Sequence, residues 1–546
     1  MTGSDTGRTS PGNTAPGNPA PDPPGADWRR LPALMLAVAP ATALLKLAPA
    51  LIVLVLFGAG RGSGVQLWIA AGIAVFAVGA GVIRWRTTRY RITPERVELH
   101  SGLLNRQRRA VPRDRIRTVD LTAPLLHRLA GLSVVRVGSG QSGKESGLDL
   151  DAVTTPEAER LRRELLARPA PATGSVPDPT GNVPRDTAPA APAAAAPEPG
   201  AEPVPGAEPV SGVELDRLDW SSLRYAPLTV SSLAAIGAVA GAGWNLLREA
   251  DVDPRTLPGA DVVAGELSTA PIWASVLVGA AALLVLMVAG SVVLFVERWW
   301  AFALTREPDG TLRVRRGLLT RRSLSVSERR LRGVTVTEPL LVRTLGLGAQ
   351  AGALTVGLAR AEGEQGGGSS GALGPPVARD HAHAVAAAAA RATHRVTDGP
   401  LRAHPRSART RRLTRAVLPA LLLPAAAGVL LAAGGPAWPL PLAAVPVLVA
   451  VPLGLDRYRA LGHHLDDDYL VARQGSLVRT TAALRRDGVI GWRIRQSRFQ
   501  RRAGVVTLEA TTAAGGGSVV VLDVAPADAV ALVAAVTPEA VTPFRS

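Results

Sequence analysis

The sequence predicts an α+β membrane protein with six transmembrane helices in three hairpins, each hairpin followed by a strand-rich domain that ends in a helix. Three observations predict it. Apolar runs of membrane length fall in pairs, an ungapped block of 30 residues recurs after each pair, and arginine is concentrated on one side of the paired runs.

Residues 1–27 are rich in Pro, Gly, Ser and Thr with no apolar period, and are expected to form a disordered tail. No basic start leads into a short apolar core and cleavage site, so they do not read as a cleavable signal. The paired runs are Pro40–Gly60 with Val65–Ile83, Ala226–Trp244 with Pro271–Val296, and Ala416–Gly434 with Ala437–Gly454. About 20 apolar residues cross a bilayer core, and these runs carry almost no internal charge. Lys46 sits near the basic end of its span, where its stem can snorkel.

Orientation follows from charge. The loop Asn245–Ala270 holds Glu249, Asp251, Asp253, Asp261 and Glu266 against Arg248 and Arg255. Arg84, Arg86, Arg89 and Arg91 follow the first pair, and Arg409, Arg411 and Arg412 precede the third. Both termini and the three large segments are therefore expected in the cytoplasm of a bacterial cell membrane protein. Nine of the 10 tryptophans, Trp299 among them, stand near expected helix ends, where an indole prefers the interface.

The repeat spans Gly102–Gly131, Gly317–Gly346 and Gly475–Gly504. Counting from each opening glycine, position 4 holds Arg106, Arg321 or Arg479, and position 14 holds Ile116, Leu331 or Val489. Position 19 holds Leu121, Val336 or Ile494, and position 26 holds Arg128, Arg343 or Arg501. Short β-branched runs follow, then helices over Pro156–Ala167, Pro376–Thr393 and Pro526–Val536, each opening on proline. Each unit thus reads as a small twisted sheet or partly open barrel, with a helix over an edge. The expected divisions are a hairpin over 28–83 with its domain over 84–168, a Pro/Ala-rich linker over 169–214, and a hairpin over 215–297 with its domain over 298–396. A short linker over 397–411, a hairpin over 412–455 and a domain over 456–546 complete the chain.

Tyr90-Arg91-Ile92-Thr93-Pro94-Glu95, Ser101-Gly102-Leu103-Leu104, Pro124-Leu125-Leu126 and Arg128-Leu129-Ala130-Gly131-Leu132 form one pattern, and Gln496–Gly504 looks like a glutamine–serine block of the same kind. In these residues the chain resembles the YdbS/YdbT-like bacterial membrane proteins with pleckstrin-homology-like (PH-like) domains. The resemblance implies a PH-like fold of two near-orthogonal sheets and a C-terminal helix, here three times over, and implies no chemistry. The second unit departs from the pattern, with Ala303-Leu304-Thr305-Arg306-Glu307 in place of the tyrosine–threonine–acid start.

Candidate chemistry is sparse. The chain has no cysteine, which removes disulfides, thiolate metal sites and cysteine nucleophiles. In His463-His464-Leu465-Asp466-Asp467-Asp468 the adjacent histidines fall on opposite faces of a strand, so a solvated strand–turn is expected there rather than a metal site. His381 and His383 head a helix beside a flexible loop and suggest no metal either. No catalytic constellation recurs in all three units, and neither an enzyme nor a cofactor is expected.

The formal charge is +17, carried mainly by arginine. It suits an anionic partner, nucleic acid or the inner face of a membrane, and basic patches without interleaved aromatics disfavour nucleic acid. The residues assigned to lipid-headgroup or partner binding are Arg106, Arg108, Arg109, Arg321, Arg322, Arg501 and Arg502, since arginine forks match phosphate. The repeated Arg128, Arg343 and Arg501 read as satisfying backbone carbonyls or fixing a strand corner. The expected function is a non-catalytic scaffold in envelope homeostasis that docks the anionic leaflet, a protein partner or another copy of itself. The alternative is a transporter or lipid-handling protein using the six-helix bundle, and no span carries the buried acid or histidine such a path needs.

Overall fold

A computed structural model of the chain describes residues 28–44, 65–93, 95–102, 107–113, 116, 118–138, 147–166, 212–228, 237, 241, 271–345, 348–355 and 371–540. The expected tail, most of the span 40–60, most of 226–244 and nearly all of the first linker lie outside the described residues.

Among the described residues, three helical stretches are long and apolar enough to cross a membrane: Ile272–Trp299, Arg406–Ala432 and Pro439–Arg459, with 28, 27 and 21 residues. At ~1.5 Å rise per residue the first is about 42 Å long, more than a hydrocarbon core requires. Its side chains Leu283, Leu284, Val285 and Leu286 are exposed, so the rest of the chain does not bury them. The second stretch breaks at Leu421, between helices Arg406–Ala420 and Leu422–Ala432. Pro424 has no N–H to give the carbonyl a turn before it, which accounts for the break. A further apolar helix, Val65–Thr87, has 23 residues. Trp85 at its end donates from Nε1 to the Leu31 carbonyl, 3.0 Å away, tying it to the chain just before the short apolar helix Met35–Leu44.

The strands of the first unit are β1 (Arg29–Arg30), β2 (Arg89–Ile92), β3 (Arg96–Ser101), β4 (Gln107–Pro112), β5 (Thr118–Ala123), β6 (Leu132–Gly138) and β7 (Gly147–Thr154). The second unit has β8 (Val213–Arg217), β9 (Ala303–Arg306), β10 (Thr311–Arg316), β11 (Arg321–Ser327), β12 (Leu331–Pro339), β13 (Gly348–Thr355) and β14 (Val377–Ala378). The third has β15 (Gly462–Leu465), β16 (Tyr469–Gln474), β17 (Val478–Arg485), β18 (Gly491–Arg495), β19 (Val506–Thr511) and β20 (Ser518–Val524). The closing helices are α1 (Thr155–Leu166), α2 (Arg379–Ala390) and α3 (Pro526–Val536). The helix α2 starts later than its proline suggests because Val377–Ala378 pair with β13.

The units do not keep their sheets to themselves. The strands run as β1-β2-β3-β4, β7-β6-β5-β11-β10-β9-β8, β14-β13-β12-β17-β16-β15 and β18-β19-β20. The second sheet of one unit is thus continuous with the first sheet of the next, through antiparallel β5–β11 and β12–β17 pairs. The two junctions share one register. Ala123, 21 residues after its opening glycine, faces Arg321, 4 after the next. Glu338, 21 after its own, faces Arg479, 4 after the next.

Burial follows this joining. Tyr469 and Val471 of β16 enter a core with Leu304, Leu312, Val334 and Val336 of the second unit. Leu470 and Ala472, on the opposite face, enter a core with Val506, Leu508 and Leu532 of the third. A strand buried on both faces needs an unbroken apolar run, and Tyr-Leu-Val-Ala supplies one. Trp299, expected at the membrane interface, is 3% exposed in the second unit's core, edge-on to Phe302. The opening glycines are backbone requirements. Gly317 and Gly475 have φ of 109° and 100°, and a Cβ on either would stand 2.0 Å from a carbonyl oxygen three residues on.

Candidate functional site

The arginines singled out in the sequence do not converge on one patch. Arg106 lies outside the described residues. Arg108 and Arg109 sit on β4, the first exposed and the second half-buried. Arg321 and Arg322 open β11, so their backbone is part of the first junction, opposite Ala123 and Thr122. Arg501 and Arg502 are exposed on the short helix Arg498–Arg502. This helix begins in a capping box in which Ser497 Oγ accepts from the Gln500 N–H and the Gln500 side chain accepts from the Ser497 N–H.

The built sites are at the junctions. Arg128 donates from Nη1 to the Leu318 carbonyl at 2.9 Å, just past the second unit's opening glycine. Its counterpart Arg343 bonds a carboxylate instead, with Nη2 2.8 Å from Asp456 Oδ2. Asp456 also takes Arg479 at 3.1 Å and the Ser476 hydroxyl at 2.9 Å, so the end of the third hairpin is gripped by two units at once. On the other junction, Arg162 of α1 lies 2.8 Å from Glu307, and Arg313 bonds both Glu307 and Glu159. Burial raises the Asp120 carboxyl pKa, while Arg322, Arg136 and Arg316 pull it back down.

A second cluster joins the third hairpin to the third domain. Asp523 of β20 is fully buried and lies in the left-handed region with φ 54°. Its carboxylate pairs with Arg411, with Arg412 at 2.5 Å, and with the Gln500 amide at 3.0 Å. Its carbonyl lies 3.2 Å from Nδ1 of His404, whose Nε2 is 3.1 Å from His463 Nδ1. Two guanidiniums beside the carboxylate answer its charge, which is what its burial demands.

Here the structure corrects two expectations. His463 is 4% exposed, not solvated, because the stretch read as a linker packs on it: Arg402 donates its N–H to the His463 carbonyl, and His404 is buried beside it. Burial and the neighbouring His404 push the His463 pKa down to about 4, and burial lowers that of His404, so both rings are neutral near pH 7. His383 is likewise enclosed, with Nδ1 2.7 Å from the Thr397 hydroxyl. Among the described residues no group of three His, Asp or Glu side chains is arranged to hold a metal ion. A cavity of about 250 Å³ between the second and third units is lined by Glu328, Leu331, Ala389, Tyr469 and Arg485, with no nucleophile beside a base.

Asp523, Asp456 and His404 carry these clusters and were not singled out in the sequence. One signal was present: an aspartate inside the run Val-Val-Val-Leu-Asp-Val demands a buried partner.

Two stretches, 36–169 and 416–535, match the family model of the bacterial PH domain, so the first and third units are covered and the second is not. The UPF0699 transmembrane protein YdbT of Bacillus subtilis (strain 168) is 30% identical over 103 residues, 19% of this chain. The match spans about a fifth of that relative, 21% of its length. No solved structure matches the chain. With a repeated strand-rich unit, apolar helices of membrane length and these two matches, the chain is similar to the YdbT-like bacterial PH-domain proteins.

Proposed function

We propose that the protein is a non-catalytic integral membrane scaffold that presents three cytoplasmic PH-like domains to protein or lipid partners, in the service of envelope homeostasis. The observation that carries this reading is the shared register of β5–β11 and β12–β17, which makes three units one continuous array. That array is held to the third hairpin through Asp456 and Asp523. Such a construction spends its buried charge on holding domains in place and leaves many arginines outward, where an anionic leaflet or an acidic protein surface attracts them.

Orientation is directly measurable because the chain has no cysteine of its own. A single cysteine placed at exposed Arg502 should resist a membrane-impermeant maleimide in intact cells and react after lysis; labelling in intact cells overturns the cytoplasmic reading. Affinity capture from solubilised membranes should return one reproducible partner or a defined self-oligomer. Capture of neither, together with an unaltered envelope in a deletion strain, overturns the scaffold.

A further inference from the structure

The two junctions leave a strand without its counterpart at the end of the array. In the third unit β18 holds the place of β5 and β12, and among the described residues nothing pairs with its outer edge. Positions that are buried or half-buried in the first two copies are open here. Leu121 and Val336 are 7% and 0% exposed, whereas Ile494 at the same position of the repeat is 53% exposed. Leu126 packs against the first unit's core, whereas its counterpart Phe499 is 74% exposed. Arg128 and Arg343 reach into the following unit, whereas Arg501 extends into solvent.

A second copy of this chain is the wrong occupant. It would offer β4, the counterpart of β11 and β17, and the shared register would set Arg109 opposite Arg493 and Arg108 opposite Ile494. Like charges directly opposite each other destabilise a strand pair. The inner junctions are arranged the other way: Asp120 on β5 and Glu338 on β12 receive strands that bring Arg322 and Arg479. On β18 the sign is inverted, with Arg493 in the place of Asp120 and Arg495 two residues on. Glu509 on β19 is the carboxylate beside both.

We propose that the free edge of β18 docks an acidic, extended segment of a partner protein. The segment adds as an antiparallel strand in the register of the two inner junctions, with a carboxylate opposite Arg493 and an apolar side chain over Ile494. Arg501 then bonds the segment as Arg128 bonds Leu318. A lipid headgroup would meet the arginines but brings no row of N–H and C=O groups to complete the ladder, so the edge favours a strand. The proposal rests on the scaffold reading and gives its partner a chemistry.

The test uses the full chain in lipid nanodiscs and three fluorescent synthetic peptides. One is Thr-Val-Glu-Val-Asp-Val-Thr, one has lysine at both acidic positions, and one keeps the acids but has proline at the central valine. The acidic peptide should bind, and the proline version should bind roughly tenfold more weakly because a ladder bond is lost. Arg493→Glu with Arg495→Glu should weaken the acidic peptide roughly tenfold and acquire binding of the lysine peptide, a reversal that a misfolded chain does not produce. Equal binding of the acidic and proline peptides overturns strand addition. Full competition by phosphatidylglycerol vesicles, or self-association that the double variant abolishes, overturns the choice of partner. A membrane partner recovered equally with the double variant overturns this site and leaves the scaffold reading standing.

Discussion

Arg412 Nη2 lies 2.5 Å from the fully buried carboxylate of Asp523, so the helix that enters the third hairpin is ion-paired to the last strand of the third domain. The first two units have Ala152 and Val377 at the corresponding place, one residue before the strand partner of the position 31 after each opening glycine. The clasp therefore belongs to the third unit alone.

Removing the carboxylate should cost more than removing an ordinary surface charge. Asp523→Ala leaves Arg411 and Arg412 facing each other without a counterion, and losses of about 3–5 kcal/mol follow when one partner of a buried pair is deleted. Asp523→Asn keeps the hydrogen bond to Gln500 and tolerates the positive φ, so it should cost less. Limited proteolysis of the detergent-solubilised chain should show the third domain released first in the alanine variant. Equal resistance of both variants and the parent would show that the pair contributes nothing.

The histidine pair predicts a direction with pH. His463 has its folded pKa depressed to about 4, below the ordinary value near 6.5, and His404 shifts the same way. Below pH 6.5 the unfolded chain takes up protons that the folded one refuses, so stability is complete above that pH and falls as the pH drops toward 4. His463 by itself accounts for roughly 2 kcal/mol by pH 5. Thermal unfolding followed at pH 7 and pH 5 should show this loss, and the double variant His404→Gln, His463→Gln should show a flatter pH dependence.

The opening glycines give a paired comparison. Gly475→Ala combines a φ of 100° with a Cβ 2.0 Å from the Val478 carbonyl oxygen, whereas a Cβ on Gly491 meets nothing within 4 Å. A strained turn costs on the order of 1–3 kcal/mol, so Gly475→Ala should lower the melting temperature of the third unit and Gly491→Ala should leave it nearly unchanged.

These results show which parts of the fold a local pattern can carry. Spacing between Gly102, Gly317 and Gly475 revealed the units because the turns need glycine wherever they fall. The joining of sheets was hidden, since whether β12 meets β17 depends on how whole units stack, and no period within either strand encodes that. Tyr469–Ala472 held the hint, as a run apolar on both faces has to be covered twice. The histidines misled for a related reason: alternation places His463 and His464 on opposite faces, but only the packing of residues 397–405 decides that His463 is buried. The arginines were legible as charge and not as sites, because their partners, Asp456 and Asp523, come from distant parts of the chain.

The coupling between the second unit and the third hairpin can be measured directly. Arg343 and Asp456 are 113 residues apart in sequence and 2.8 Å apart in space, and Arg343 is 11% exposed at its side chain. Asp456 is shared with Arg479 and Ser476, so deleting it disturbs three bonds while deleting Arg343 disturbs one. Asp456→Ala should therefore cost more than Arg343→Ala. In a double-mutant cycle Arg343→Ala should cost little once Asp456→Ala is made, with a coupling energy of about 1–3 kcal/mol. Strictly additive effects on unfolding would show that the two residues stand side by side without holding the unit to the helix.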